Sequence, residues 1–134
     1  MRYPQVVIYD SDDWLATQVA EVARENGWLV RESRQADACL QLLREARPSV
    51  VLLKLGPKAL EEMTLLSRLT RHVPDCPVVL VSDAKLDVAG RHDLVGLAYD
   101  LGARYVLMPP LTRSVIEDVV VGLLEATIQR QTMG

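Results

Sequence analysis

Pro48 to Gly56 is the segment that most limits what this chain can become. Val50, Val51, Leu52 and Leu53 follow one another without a polar break, and the run then meets Lys54. A continuous apolar run between proline and glycine suits a strand covered on both faces, as in a parallel sheet whose crossover helices shield it from water. Lysine is seldom buried without a partner, so at the carboxyl end of such a strand it either reaches solvent or meets a carboxylate. That end of an open parallel sheet is where α/β proteins bind ligands. Lys54 is therefore expected at the functional edge.

The rest of the chain agrees with a sheet of this kind. Gln5-Val6-Val7-Ile8-Tyr9 is apolar and β-branched and stops at Asp10-Ser11-Asp12-Asp13, residue types that suit a loop and a helix N-cap. From Trp14 the apolar residues Leu15, Val19, Val22 and Ala23 recur at helical spacing until Asn26-Gly27. Trp28 to Glu32 reads as a short strand, and Asp37 to Arg47 as a helix carrying Cys39, Leu40, Leu43 and Ala46 on one face before Pro48. After Gly56-Pro57 the spacing predicts a helix with Leu60, Met63, Leu66, Leu69 and Val73 inward, ended by Pro74.

Pro77 to Ser82 is again an apolar strand, ending in a small polar residue. A helix over Val88 to Leu101 is weakened by Gly90 and Gly96, each costing about 1 kcal/mol relative to alanine. Arg104 to Met108 forms the last strand and Pro109-Pro110 breaks it. Thr112 to Gln131 closes the chain as a helix with Val115, Ile116, Val119, Val120, Leu123, Leu124 and Ile128 on its apolar side. Strand and helix alternate five times with short connections, which implies a parallel sheet with helices on both faces. The loops after the first and third strands then meet, with those after the fourth and fifth beside them. Asp10, Ser11, Asp12, Lys54, Ser82, Pro109 and Pro110 converge on one crevice.

Composition narrows the function. At 134 residues and 49% hydrophobic content the chain can bury a core as one domain spanning 1–134, and no separate output domain is expected. A formal charge of -3 argues against a nucleic-acid or anionic-membrane surface. No apolar run approaches the roughly 20 residues that span a bilayer, and Met1-Arg2-Tyr3-Pro4 leads into a strand without a signal segment, so a cytoplasmic location is expected. Cys39 and Cys76 are far apart in sequence and fit reduced thiols. Gly56-Pro57-Lys58 lacks the rest of a phosphate loop, and the Asp10 to Asp13 run lacks the glycine and closing glutamate of a calcium loop. His72 and His92 lie in separate segments and read as surface residues. Trp14 and Trp28 read as core or partly buried anchors.

In order, spacing and length, the chain resembles the receiver domain of two-component response regulators (CheY-like). Val6 to Asp12 is similar to that family's first strand and acidic pocket, and Pro48 to Lys54 to the strand that delivers its phosphoacceptor aspartate. Val78 to Ser82 is similar to the strand ending in the switch hydroxyl, and Gly102-Ala103 through Pro110 to the fifth strand with its Lys-Pro ending. The resemblance implies a flavodoxin-like (βα)5 three-layer sandwich with strand order 2-1-3-4-5.

It also implies a depleted site. Asp10 keeps the first acidic position, Ser11 replaces a magnesium ligand, and Lys54 stands where the phosphoacceptor belongs. Pro109 replaces the phosphate-pairing lysine, and Val106 the rotating aromatic of the switch. Ser82 keeps its hydroxyl, and the family's cis peptide suggests a cis bond before Pro110. No metal, cofactor or enzymatic activity is expected of such a pseudo-receiver. It would signal through an unidentified protein partner, or a homodimer formed by the fourth helix, fifth strand and fifth helix, using Val115, Val119, Val121, Leu123 and Ala126.

Several readings of single residues remain open. Lys54 either extends to water along its alkyl stem or pairs with Asp10 or Asp12. A catalytic lysine is disfavoured, because adjacent carboxylates favour an ion pair over a free amine. Asp12 and Asp13 also suit helix capping. Two other functions compete: a conventional regulator phosphorylated at Asp10 or Asp12, and a small flavodoxin-like module binding a nucleotide or flavin in the same crevice.

Overall fold

A computed structural model describes residues 3–45, 47–56 and 59–133. Strands and helices alternate as β1 (Gln5–Tyr9), α1 (Trp14–Asn26), β2 (Leu29–Ser33), α2 (Ala36–Leu43), β3 (Ser49–Leu55), α3 (Ala59–His72), β4 (Val78–Ser82), α4 (Val88–Asp100), β5 (Tyr105–Leu107) and α5 (Arg113–Met133). All strand pairs are parallel, in the order β2-β1-β3-β4-β5, which is the flavodoxin-like arrangement.

β3 is central because it can be nowhere else. Val50, Val51, Leu52 and Leu53 have no exposed surface, so both faces of that strand are covered. Alternation then divides the core into two layers. Val6, Ile8, Val50, Leu52, Val79 and Val81 face α1 and α5, where Leu15, Val19, Ile116, Val120 and Leu124 meet them. Val7, Val51, Leu53, Val78 and Leu80 face Cys39, Leu40 and Leu43 of α2, Leu65, Leu66 and Leu69 of α3, and Ala98 of α4. Trp14 and Trp28 are partly buried against the first layer.

Three helices differ from their expected outlines. α2 stops at Leu43, with Arg44 as its C-cap, rather than running to Arg47; Ala46, Pro57 and Lys58 lie outside the described residues. In α3 the inward stripe is Glu62, Leu65, Leu66 and Leu69. Leu60 sits on the opposite side of the helix and is 82% exposed, because a stripe centred on Leu65, Leu66 and Leu69 turns it away from the sheet. In α5, Ile116, Val120, Leu124 and Thr127 point inward while Val115 is 40% exposed. α4 buries only Ala98 fully and is the least anchored helix.

Two glycines carry conformations that other residues resist. Gly27 ends α1 at φ 71° with open space around it. Gly102 sits at φ 107°, and a Cβ there would lie 2.2 Å from Thr70 Oγ1, whose hydroxyl is shared between Leu66 O at 3.0 Å and Leu101 O at 3.1 Å. Replacing Gly102 with alanine should therefore add a clash to backbone strain and cost about 2–4 kcal/mol, against about 1–2 kcal/mol for Gly27→Ala. Chemical denaturation of both variants checks the ranking; equal losses would contradict it.

Candidate functional site

The sheet register builds the site. β1 pairs Tyr9 with Leu53, so Asp10 emerges level with Lys54, and β4 pairs Ser82 with Leu55, so Asp83 emerges just beyond. Lys54 continues the parity of Val50 and Leu52 and so projects to the α1 side. There its Nζ lies 5.5 Å from the Trp14 ring centroid, within cation–π range. The ammonium is 3.9 Å from Asp10 Oδ1 and 3.4 Å from Asp83 Oδ2. Lys54 is 6% exposed and Asp10 3%. The lysine thus stays inside, held by carboxylates on both sides, and does not extend into water.

Asp10 has a second task. Its Oδ2 accepts the Leu15 N–H at 3.0 Å and its Oδ1 the Asp12 N–H at 3.3 Å, which ties the β1–α1 loop to the first turn of α1. Asp12 accepts the Trp14 N–H at 2.9 Å. That bond holds the Asp12 carboxyl below its usual range, and the nearby Lys54 charge acts in the same sense. Asp12 is a capping residue at the rim and makes no ion pair with Lys54 among the described residues. Asp13, at the N-cap, makes no side-chain capping bond.

Two participants gave little sign of themselves in the sequence. Asp83 follows Ser82 and supplies the nearer carboxylate to Lys54. Glu62 comes from α3, is 4% exposed, and accepts the Gly56 N–H at 2.7 Å through Oε1. A Cβ on Gly56 would lie 3.2 Å from Glu62 Oε2 and 3.5 Å from Ser11 Oγ, so the loop after β3 passes close between these two side chains and a larger residue would require the Glu62 carboxylate to shift by a few tenths of an ångström. Burial pushes the Glu62 carboxyl above its usual range; the Gly56 N–H and Lys54 oppose this, while Asp10 and Glu61 add to it. Burial and the Glu62 charge likewise raise Tyr9.

The remaining predicted positions lie where the topology puts them. Ser82 is 1% exposed and its Oγ accepts the Ala84 N–H at 3.2 Å. The Pro109-Pro110 bond is cis. Val106 is half-buried against the α2–α3–α4 layer. Of the α5 residues singled out for an interface, Val115 and Ala126 are exposed and Val121 is half-buried, whereas Val119 and Leu123 pack against the core and offer only their edges. His72 and His92 are exposed. Cys39 and Cys76 are free thiols, pushed up by burial to about 11 and about 12.

A magnesium ion does not fit this donor set. Magnesium requires octahedral oxygen ligands with at least one or two carboxylates free to approach it. Here an ammonium stands between Asp10 and Asp83, and Asp10 is engaged by two backbone N–H groups. Among the described residues no cluster of three such side chains has metal-ligand geometry. Likewise, no helix among them is long and apolar enough to cross a membrane.

No protein-family model matches the chain, and no curated protein does. Solved structures do match. A response regulator from Thermotoga maritima superposes with a TM-score of 0.76 at 21% identity, over 92% of this chain and 99% of that one. A CheY-like response regulator receiver domain protein from Methanospirillum hungatei JF-1 gives 0.76 at 15% identity, over 96% and 99%. NtrX from Brucella abortus gives 0.76 at 22% identity; 99% of this chain matches, but only 29% of NtrX. The chain therefore has the fold of response-regulator receiver domains. At these identities the likeness is one of fold.

The raised Glu62 carboxyl predicts a pH dependence. A group whose folded-state pKa exceeds its unfolded one binds more protons when folded, so stability falls as pH rises through that interval. Gln at position 62 cannot titrate. Glu62→Gln should therefore gain stability relative to the parent as pH rises from the acid side of the carboxylate range to neutrality. Urea melts at several pH values read this; a gap independent of pH would show that Glu62 does not titrate abnormally.

Proposed function

We propose that this chain is a receiver-like signalling domain that works by protein contact and without aspartyl phosphate. The observation that carries the reading is Lys54. The strand that delivers the phosphoacceptor in the resembling family ends here in an ammonium 3.9 Å from Asp10 and 3.4 Å from Asp83. An ammonium cannot form an acyl phosphate. It instead supplies, from the chain itself, positive charge between carboxylates that would otherwise repel one another. The domain is then a non-enzymatic pseudo-receiver whose pocket rests in one charge state.

Its output is contact. Tyr99 of α4, Tyr105 of β5 and Val115 of α5 are each 40–46% exposed, an apolar set on the α4–β5–α5 side. Such patches mark protein interaction sites. A protein partner or a second copy of the chain docks there, with Val115 and Ala126 contributing more than the half-buried Val119 and Leu123.

Incubation with phosphoramidate and Mg²⁺ should yield no hydroxylamine-labile phosphate, whereas stoichiometric acyl phosphate would sink the reading. Mass spectrometry placing it on Asp10 or Asp12 would establish a conventional regulator using another carboxylate. Lys54→Asp sharpens the test. It should lower Tm in the presence of chelator by crowding carboxylates, and Mg²⁺ should restore part of that loss while leaving the parent protein unchanged. A variant whose Tm ignores Mg²⁺ would contradict the role assigned to the ammonium.

A further inference from the structure

Away from the Lys54 pocket, α3 and α4 enclose a groove of about 650 Å³. Its floor is Leu55, Met63, Leu94 and Leu101, and its rims are Leu60 and Leu97, which are 82% and 49% exposed. Volumes of about 300–1,000 Å³ with an apolar lining and few polar groups are those of small-molecule sites. Leaving apolar side chains this open to water is unfavourable, and an apolar occupant would remove that cost.

The polar groups on the wall are few, two hydroxyls and one guanidinium. The groove runs along α3 from Leu60 to Arg71, eleven residues, or about 16 Å at the helical rise. Thr64 and Ser67 line it midway, and Arg71 closes one end. Thr64 spends its hydroxyl proton on Leu60 O at 2.8 Å, which leaves the oxygen as an acceptor only. Among the described residues, Arg71 is the one charged residue in the lining, and it pairs with no carboxylate. Asp93 and Asp100 of α4 are exposed and do not line the groove. The described lining is thus an apolar trough with a cationic end at Arg71.

We infer that the α3–α4 groove binds an amphipathic anion, an acyl or aromatic carboxylate whose apolar body lies between Leu60 and Leu97 and whose carboxylate pairs with Arg71. Guanidinium and carboxylate match in geometry as well as charge. Binding would also add contacts where the protein has fewest. α4 fully buries only Ala98, and its C-terminal end is tied to α3 by the Thr70 hydroxyl bond to Leu101 O. An occupant touching Leu94, Leu97 and Leu101 would clamp α4 against α3. It would thereby reach the exposed α4 surface next to β5.

Dodecanoate, dodecylamine and dodecanol, each below its micellar concentration, test the proposal by thermal shift and by hydrogen exchange of the intact chain. Dodecanoate should raise Tm and slow exchange across α4; dodecylamine should do neither, and dodecanol should act more weakly. Arg71→Glu should weaken dodecanoate about tenfold and favour dodecylamine, the effect of one charge contact. Leu97→Asp, at an exposed position that folding does not need, should abolish binding while leaving the unliganded Tm near that of the parent. Equal response to all three probes, or a dodecanoate response unchanged in both variants, would overturn the inference. So would a concentration-dependent dimer that Leu97→Asp dissolves, since the groove would then be a contact between copies. None of these outcomes depends on whether Lys54 prevents phosphorylation.

Discussion

The molecule depends on the complete burial of β3. Its Val50 to Leu53 run can be satisfied only with a strand on each side and helices on both faces, and β1 and β4 take the neighbouring places with α1 and α5 below and α2, α3 and α4 above. Burying each such side chain is worth about 1.5–3 kcal/mol, so the register along this strand is fixed more firmly than any other. Everything at the carboxyl edge follows from that register. Asp10 and Asp83 stand around Lys54 because their strands have no other alignment that keeps the apolar residues inside.

Putting an ammonium at the end of such a strand has a definite cost, and the surroundings show how it is met. Lys54 makes no short hydrogen bond to Asp10; at 3.9 Å the two interact chiefly through charge. The closer partner, Asp83, is more than half exposed, and a pair of that kind contributes little in water. The Trp14 ring and the buried Asp10 carboxylate therefore carry most of the compensation. Removing the lysine would leave Asp10 buried with only backbone N–H groups for company, which is the more expensive error. Glu62 adds a carboxylate from the opposite face, fastened to Gly56. It acts as a lock on the loop after β3 more than as a counter-ion, since burial raises its pKa more than Lys54 lowers it.

The fold was legible because apolar runs and turn residues alternate with little ambiguity, from Gln5-Tyr9 through Pro109-Pro110. The two-layer core and the position of Lys54 follow from period-two alternation along strands already located. Helical faces were harder to read. In α3, Leu60 looks as apolar as Leu65, and only three-dimensional packing selects the stripe in which a glutamate replaces a hydrophobe. The same limit hid Glu62, one acid among 18 in the chain, because a helix face and not a spacing brings it to the site. Asp83 follows β4 as directly as Asp10 follows β1 and was open to the same reading. Asp10 was legible since it directly follows a strand whose neighbour was already fixed.

The α3–α4 groove and the exposed α4–β5 surface are joined by the most lightly anchored helix of the fold. α4 carries no amphipathic stripe to speak of: Gly90 and Gly96 lower its intrinsic helicity, and one alanine is its only fully buried residue. Elements so lightly held open locally at small free-energy cost, and they are the ones from which switching segments are drawn. On the function proposed here, the cation tethered at Lys54 closes off control by the pocket it occupies. On the same reading control through α4 stays open, because its inner edge, Leu97 included, lines the groove against α3 while Tyr99 and the adjoining Tyr105 face outward. A ligand or partner that orders this helix changes the outer surface directly, without any signal crossing the sheet.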